Sequence, residues 1–358
     1  MNPEFWSGKR VLLTGHTGFK GSWLSLWLQE LGAELTGYSN DIPTNPSLFE
    51  TAEVRGGMNS VSGDVRDPDA LTSALRDAGP EIVIHMAAQS LVRRSYAEPV
   101  ETFATNVQGT VNVLEAVRQI GGVRAVIVVT SDKCYDNRER SEGYREDEPM
   151  GGYDPYSSSK GCAELVTAAY RNSFFNVAEF DHHGTAIASV RAGNVIGGGD
   201  WAQDRLIPDV MGQLLRDKAP VIRNPGAVRP WQFVMDPLNG YLKLGERLYG
   251  DGPGFSGAWN FGPDDDDAKD VGYVVETLAH RWGAGAGWQR DASEQPHEAT
   301  FLRLDSNKAR SELSWSPKVG LDTALEWIVE WYRVFGSSSG ARDATLSQIS
   351  RFQGLAVS

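Results

Sequence analysis

Tyr156 and Lys160 bracket the segment Tyr156-Ser157-Ser158-Ser159-Lys160, a four-residue spacing that puts both side chains on one face of a helix. An ammonium beside a phenol favours the phenolate, which moves tyrosine toward proton transfer near neutral pH. A second group, Thr130-Ser131-Asp132-Lys133-Cys134-Tyr135, follows the unbroken apolar run Ala125 to Val129. Ser131 can hydrogen-bond a substrate hydroxyl that Tyr156 deprotonates. Asp132 and Lys133 offer a further acid–base pair, more than a plain dehydrogenation needs. In isolation, a Tyr-x-x-x-Lys spacing is common on surface helices, and an Asp-Lys pair at a strand end reads as an exposed ion pair. Their order behind other elements gives them weight.

Those elements alternate strand and helix, the pattern of a parallel sheet covered on both faces. Val11-Leu12-Leu13, Leu35 to Tyr38, Ile82-Val83-Ile84, Ala125 to Val129 and Ala186 to Val190 read as strands. Trp23 to Leu31, Thr105 to Gln119 and Pro155 to about Arg171 read as helices, the last with Asp154 as cap and proline in the first turn. Between the first strand and first helix lies Gly15-His16-Thr17-Gly18-Phe19-Lys20-Gly21. Its glycines allow a tight turn, and the helix start behind it offers free N–H groups to a pyrophosphate. Lys160 would then reach a nicotinamide ribose hydroxyl. Where an acid often holds the adenosine ribose stands Ser39, which leaves the choice between NAD and NADP open. After the third strand, Gly63-Asp64-Val65-Arg66 resembles the adenine-holding turn of short-chain dehydrogenases, in which Asp64 would accept from the exocyclic amine.

The formal net charge of −13 over 358 residues excludes a phosphate-tracking nucleic-acid binder. Only Cys134 and Cys162 are present, which argues against a disulfide framework or a structural zinc, and no metal site is expected. His182-His183 reads as core or loop, and the acidic run Asp264 to Asp267 as a solvated loop. Neither a signal sequence nor a membrane-length apolar run is evident, so a cytoplasmic protein is expected. The 11 Trp and 39 Gly suggest a sheet-rich body with close backbone approaches.

Several stretches together resemble the CDP-glucose 4,6-dehydratases of the extended short-chain dehydrogenase/reductase superfamily. They are Gly15 to Leu28, Pro43 to Glu50, Thr130 to Tyr135, Arg191 to Trp201 and Arg229-Pro230-Trp231-Gln232. The likeness runs from about Phe5 to about Tyr332. It implies a Rossmann-type doubly wound α/β sheet with a smaller C-terminal α/β substrate lobe. The dinucleotide domain would span 1–192 plus a return near 230–262, the nucleotide-sugar lobe 193–229 and 263–335, with 336–358 as a tail. The implied reaction belongs to deoxysugar biosynthesis and converts CDP-D-glucose to CDP-4-keto-6-deoxy-D-glucose and water. C4 is oxidised transiently by bound NAD, water leaves across C5–C6, and the hydride returns to C6. Asp132 would protonate the departing hydroxyl. Lys133, where relatives carry glutamate, would take the C5 proton; a lysine base must lose its own proton first, which burial or neighbouring positive charge such as Lys20 or Lys160 promotes.

The likeness also assigns contacts. Gly15, Thr17, Gly18, Phe19, Lys20, Gly21, Ser39, Asp64, Val65, Ala87, Ala88, Gln89, Asn106, Tyr156 and Lys160 would hold the cofactor. Gln89, Ser90 and Ser131 would face the sugar; Asn194 and Arg229 would meet the pyrophosphate, with Arg205 a further anion contact. Phe233 stands where the family often has a polar residue such as histidine. In relatives the helices near Thr105–Gln119 and Pro155–Arg171 form a four-helix dimer interface, so a homodimer is implied. The competing readings are another nucleotide-sugar dehydratase, a 4-epimerase, which has no use for Asp132-Lys133, and a non-catalytic dinucleotide sensor, which would not need Tyr156 and Lys160.

Overall fold

Alternation of side chains along buried strands decides the architecture. In the computed structural model, which describes residues 1–283, 287–291, 302–335 and 340–356, the strands are β1 (Arg10–Thr14), β2 (Glu34–Ser39), β3 (Asn59–Ser62), β4 (Ile82–His85), β5 (Ala125–Val129) and β6 (Ala186–Arg191). Val11, Leu13, Ile82, Ile84, Ile127 and Val190 feed one core, while Leu12, Val83, Val126, Val128 and Ile187 feed the core on the opposite face. A sheet buried on both faces needs such continuous apolar strands. The chain returns to it at the edge strand Gly257–Asn260. The resulting seven-stranded parallel sheet has the order Gly257–Asn260, β6, β5, β4, β1, β2, β3.

The strand order reverses between β1 and β4, which opens a crevice beyond their carboxyl ends, the usual ligand position in such sheets. Helix Phe19–Glu30 starts at that crevice behind β1. Helix Pro155–Ser173 begins where Asp154 accepts from the Ser157 N–H at 2.9 Å. The helix expected over Thr105–Gln119 is longer and less regular. It runs from Pro99–Phe103 through a π-turn, Ala104–Gln108, into Gly109–Ile120. The π-turn carries Asn106, whose side chain bonds inward. Such bulges cluster at functional sites.

Beyond β6 the chain forms two-stranded ladders, Val195–Ile196 with Gln232–Phe233, Val228–Pro230 with Ala268–Asp270, and Val221–Ile222 with Gln289–Arg290. The segment expected as a tail contains the helix Ala341–Gly354. Thr345, Gln348, Ile349 and Phe352 recur at helical spacing and are buried. Phe352 meets Trp27 edge-on at 5.7 Å, and Trp331 donates to Thr345 at 2.9 Å. No helix among the described residues is long and apolar enough to cross a membrane.

One buried carboxylate makes the fold sensitive to pH. Asp236, at the start of helix Met235–Gly250, accepts from the Lys318 N–H at 2.7 Å, but its Oδ2 finds no partner among the described residues. Burial pushes its pKa up to about 8. A carboxyl raised in the folded state holds its proton there after the unfolded chain has released it. Stability therefore falls as pH rises from about 4 toward about 8. Asp236→Asn mimics the protonated group, so at pH 8 it gains on the order of 2 kcal/mol over the parent. The gain disappears toward pH 4 in thermal melts across this range. An equal effect at every pH would contradict the assignment.

Candidate active site

The phosphate loop is closed by backbone contact. Gly15 has φ +78°, and a Cβ there would lie 2.7 Å from the Ala87 nitrogen; at Gly21 it would lie 2.1 Å from the Gly15 oxygen. Only glycine lets the turn after β1 sit against the end of β4 and the helix start at once. Gly18 precedes the first turn of Phe19–Glu30, which no side chain caps. Its exposed N–H groups and glycine-lined approach fit a dinucleotide pyrophosphate. Thr17 donates to the Asp41 oxygen at 2.6 Å, pinning the loop to the end of β2. Ser39 is buried, its Oγ 3.0 Å from His16 Nδ1, while His16 Nε2 meets Ser60 Oγ at 2.8 Å. Burial lowers the His16 pKa to about 4, so this ring is neutral.

Asp64 lies at the other end of the same crevice. It accepts from the Arg66 backbone N–H at 2.8 Å and from Arg66 Nε at 3.0 Å, and these bonds hold its carboxyl below the ordinary range. Val65 packs into the second core, and its oxygen accepts from Asn112 at 2.9 Å. Ala87 and Ala88 follow β4 beside the loop. Gln89 and Asn106, expected as ligand contacts, make protein contacts in the free chain. Asn106 Oδ1 accepts from the Gln89 N–H at 2.8 Å, and its Nδ2 donates to Ser159 Oγ at 2.8 Å, tying the β4 loop to the Tyr156 helix. The Gln89 amide donates to Thr102 at 3.0 Å and accepts from the Leu91 N–H at 2.6 Å. In this chain both side chains position the loop.

At the carboxyl end of β5 a short turn, Asp132–Cys134, aims the acid–base groups. Ser131 donates to Asp132 Oδ1 at 2.9 Å and is hydrogen-bonded to Tyr156. One hydroxyl thus links the phenol to the carboxylate. Asp132 is buried against Gly193, where a Cβ would fall 1.8 Å from its Oδ2. Lys133 is half-buried, its backbone N–H on Ser131 Oγ at 3.2 Å. The ammonium expected to lower the Tyr156 pKa does not do so in the free chain. Burial pushes the phenol up to about 12, with Ser131 opposing and Asp132 adding to the rise. Lys160 instead donates to the Val129 oxygen at 3.2 Å, and burial lowers it to about 8.

The expected substrate contacts divide. Arg205 donates to Ser90 Oγ at 3.0 Å and pairs with Asp200 at 3.2 Å, so two of them meet. Lys20, lowered to about 7 by burial and then by Lys160 and Arg205, shares this basic cluster with Asp132 opposing. Asn194 has φ +50° beside Gly193, and its oxygen accepts from the Gln232 N–H at 3.1 Å. Arg229 sits on the Val228–Pro230 ladder, with Nη1 on the Val228 oxygen at 3.1 Å. Phe233 is core: fully buried, its ring centroid lies 6.0 Å from that of Trp23 and 5.3 Å from that of Trp327. His182 and His183 end a short surface helix, and no group of three metal-ligating side chains occurs among the described residues.

Residues 11–256 match the model of the NAD dependent epimerase/dehydratase family. The chain belongs to this family. Among its members, a CDP-glucose 4,6-dehydratase of Salmonella typhimurium is 56% identical over 94% of this chain and 93% of its own. Two solved structures share the fold. One is a Thermus thermophilus UDP-glucose 4-epimerase complex with NAD (25% identity, TM-score 0.77, 90% of this chain and 98% of that one). The other is a dTDP-glucose 4,6-dehydratase of Streptomyces venezuelae with NAD bound (26% identity, TM-score 0.75, 90% and 96%).

In this member of the epimerase/dehydratase family, sequence reasoning missed the support behind helix Pro155–Ser173. Glu164 lies one turn beyond Lys160 and is buried. It accepts from Arg191 Nη2 at 2.8 Å, Ser189 Oγ at 2.7 Å and Thr130 Oγ1 at 2.5 Å. Although burial raises its carboxyl, the Arg191 charge leaves it below the ordinary range. Arg191 continues to the Tyr135 hydroxyl at 2.5 Å, which donates to Asn260 at 2.8 Å. The network binds the helix to the ends of β5 and β6. The spacing Tyr156, Lys160, Glu164 was its one signal in the sequence.

Proposed function

We propose that the chain is a hydro-lyase that converts CDP-D-glucose to CDP-4-keto-6-deoxy-D-glucose and water. The single observation that carries this reading is the Tyr156–Ser131–Asp132 linkage, which joins an oxidation base to an elimination acid in one site. The 56% identity to a CDP-glucose 4,6-dehydratase supports the nucleotide and sugar. NAD, when bound, supplies the oxidant that takes hydrogen from C4 and gives it back at C6. The turn at Gly15 to Gly21 and the helix start behind it hold the pyrophosphate. Tyr156, aligned by Ser131, takes the proton of the C4 hydroxyl. Lys133 takes the C5 proton that the 4-ketone acidifies, and Asp132 protonates the departing C6 oxygen. Arg205 with Ser90, and Asn194 with Arg229, are assigned to the nucleotide-sugar phosphates and sugar.

Incubation with NAD and CDP-, dTDP-, GDP- or UDP-hexoses, followed by the alkali-induced absorbance of 4-keto sugars, tests this reading. CDP-glucose is expected to turn over best. Turnover of another nucleotide sugar without CDP-glucose would overturn the substrate and leave the reaction class.

The same reading makes the enzyme a cytoplasmic homodimer with a dinucleotide domain and a nucleotide-sugar lobe. Apolar side chains exposed on and beside two helices support the dimer: Val100 and Phe103, then Tyr153, Leu165 and Phe174. Exposed apolar side chains of this kind, on elements that pack together, suit a protein interface. Sedimentation should give twice the 39.1 kDa chain mass, and a monomer at micromolar concentration would contradict it. The free thiols Cys134 and Cys162 suit a reducing compartment.

A further inference from the structure

Thr130 stands between the last residue of β5 and Ser131, and it is buried. Its backbone N–H donates to the Val190 oxygen at 2.9 Å, carrying the β5–β6 ladder one residue further. Its hydroxyl lies 2.5 Å from Glu164 Oε1 and 3.2 Å from the same Val190 oxygen. Glu164 leads back to that strand end through Arg191, whose Nε donates to Oε1 at 3.0 Å and Nη2 to Oε2 at 2.8 Å. Thr130, Glu164 and Arg191 thus close a ring over the carboxyl ends of β5 and β6 and the third turn of helix Pro155–Ser173.

The helix is seated on β5 by residues one turn apart. Lys160 donates to the Val129 oxygen at 3.2 Å, and Glu164 takes the Thr130 hydroxyl. Between them Gly161 lets the helix press on the turn below, where a Cβ would lie 2.7 Å from the Gly151 oxygen and 3.2 Å from the Cys134 oxygen. The next strand residue, Ser131, faces Tyr156 on the first turn and donates to Asp132 at 2.9 Å. Glu164 has no need of Thr130 for its own burial, because Arg191 holds both carboxylate oxygens and Ser189 adds a third donor at 2.7 Å. A hydrogen bond to a carboxylate is strong and directional, so this one fixes the strand end against the helix.

We propose that Thr130 and Glu164 are positioning residues, whose hydrogen bond holds the end of β5 in register with the helix and so keeps the Ser131 hydroxyl on the Tyr156 phenol. The proposal rests on the dehydratase reading above. Neither side chain touches substrate; both act through Ser131. Alignment of this kind matters because a misplacement of about 1 Å costs on the order of 10²-fold in rate.

Thr130→Val keeps the shape of the side chain, removes its oxygen and leaves the Glu164–Arg191 pair intact. With CDP-glucose and NAD, reduced cofactor in a single turnover, which reports C4 oxidation, should form about 10- to 10²-fold more slowly. KM for CDP-glucose and the affinity for NAD should stay at parental values, since the loss falls on the chemical step alone. Thr130→Ser, which keeps the oxygen, should recover most of the rate. Thr130→Ala should match valine, and it supplies the comparison if the valine variant does not fold. A merely structural hydroxyl would lower the melting temperature of the valine and alanine variants while C4 oxidation kept its parental rate, which would overturn the proposal. Serine as slow as alanine would overturn it too, because the methyl group and not the hydrogen bond would then matter. In both cases an active parent leaves the dehydratase reading standing. A parent inactive on every nucleotide hexose would overturn both.

Discussion

Tyr156→Phe slows turnover of CDP-glucose by about 10²- to 10⁴-fold, the range for losing a positioned general base. The substitution deletes only the hydroxyl that binds Ser131, so the ring stays in its buried setting against the turn after β5. Cofactor binding should survive, because the loop Gly15 to Gly21 and the helix start do not involve Tyr156. The effect must appear already in C4 oxidation, measured as reduced cofactor in a single turnover. In the free chain the phenol holds its proton, with a pKa of about 12, and Lys160 is turned to the Val129 oxygen. A variant that oxidises C4 at the parental rate would remove Tyr156 from its role.

Lys133→Met separates the second half of the reaction from the first. Methionine keeps the length and apolar stem of lysine but cannot accept a proton. C4 oxidation should proceed while keto-sugar formation drops by at least about 10²-fold. Exchange of the C5 hydrogen with deuterated solvent should be lost with it. The turn Asp132–Cys134, in which only Lys133 is half-buried, keeps the Lys133 N–H bond to Ser131 Oγ at 3.2 Å, which the substitution spares. C5 exchange at the full parental rate would show that another group is the base. The Asp132 carboxylate would then be the first to examine.

β1, β4, β5 and β6 were legible because a sheet buried on both faces demands continuous apolar runs. β3 and the edge strand Gly257–Asn260 are short, more polar and less buried, and they carry no such run. The Asp154 cap and the proline behind it marked the start of helix Pro155–Ser173. The π-turn at Ala104–Gln108 was not legible, since it depends on where the Asn106 side chain must reach: Gln89 and Ser159, 17 and 53 residues away. The C-terminal helix was legible in principle, in the spacing of Thr345, Gln348, Ile349 and Phe352. Only the packing against Trp27 and Trp331 gives that pattern its meaning.

The groups proposed for catalysis were singled out by residue type and order along the chain; in the structure Ser131 lies against both Tyr156 and Asp132, and Lys160 lies one turn along the same helix as Tyr156. The protein contacts of Gln89 and Asn106 were not legible, because their partners, Leu91, Thr102 and Ser159, are brought together only by the fold. Glu164 carried no motif, and its meaning lies in partners farther along the chain, Arg191 and Ser189.

The most direct test of the account follows one hydrogen. CDP-glucose carrying deuterium at C4 is incubated with the enzyme and NAD in ordinary water, and the product is examined by NMR and mass spectrometry. The account predicts a 4-keto-6-deoxy sugar with the deuterium at C6, a solvent hydrogen at C5, and no net reduced cofactor. Deuterium back at C4 of an inverted sugar would make the enzyme an epimerase, and deuterium lost to solvent would contradict internal transfer altogether.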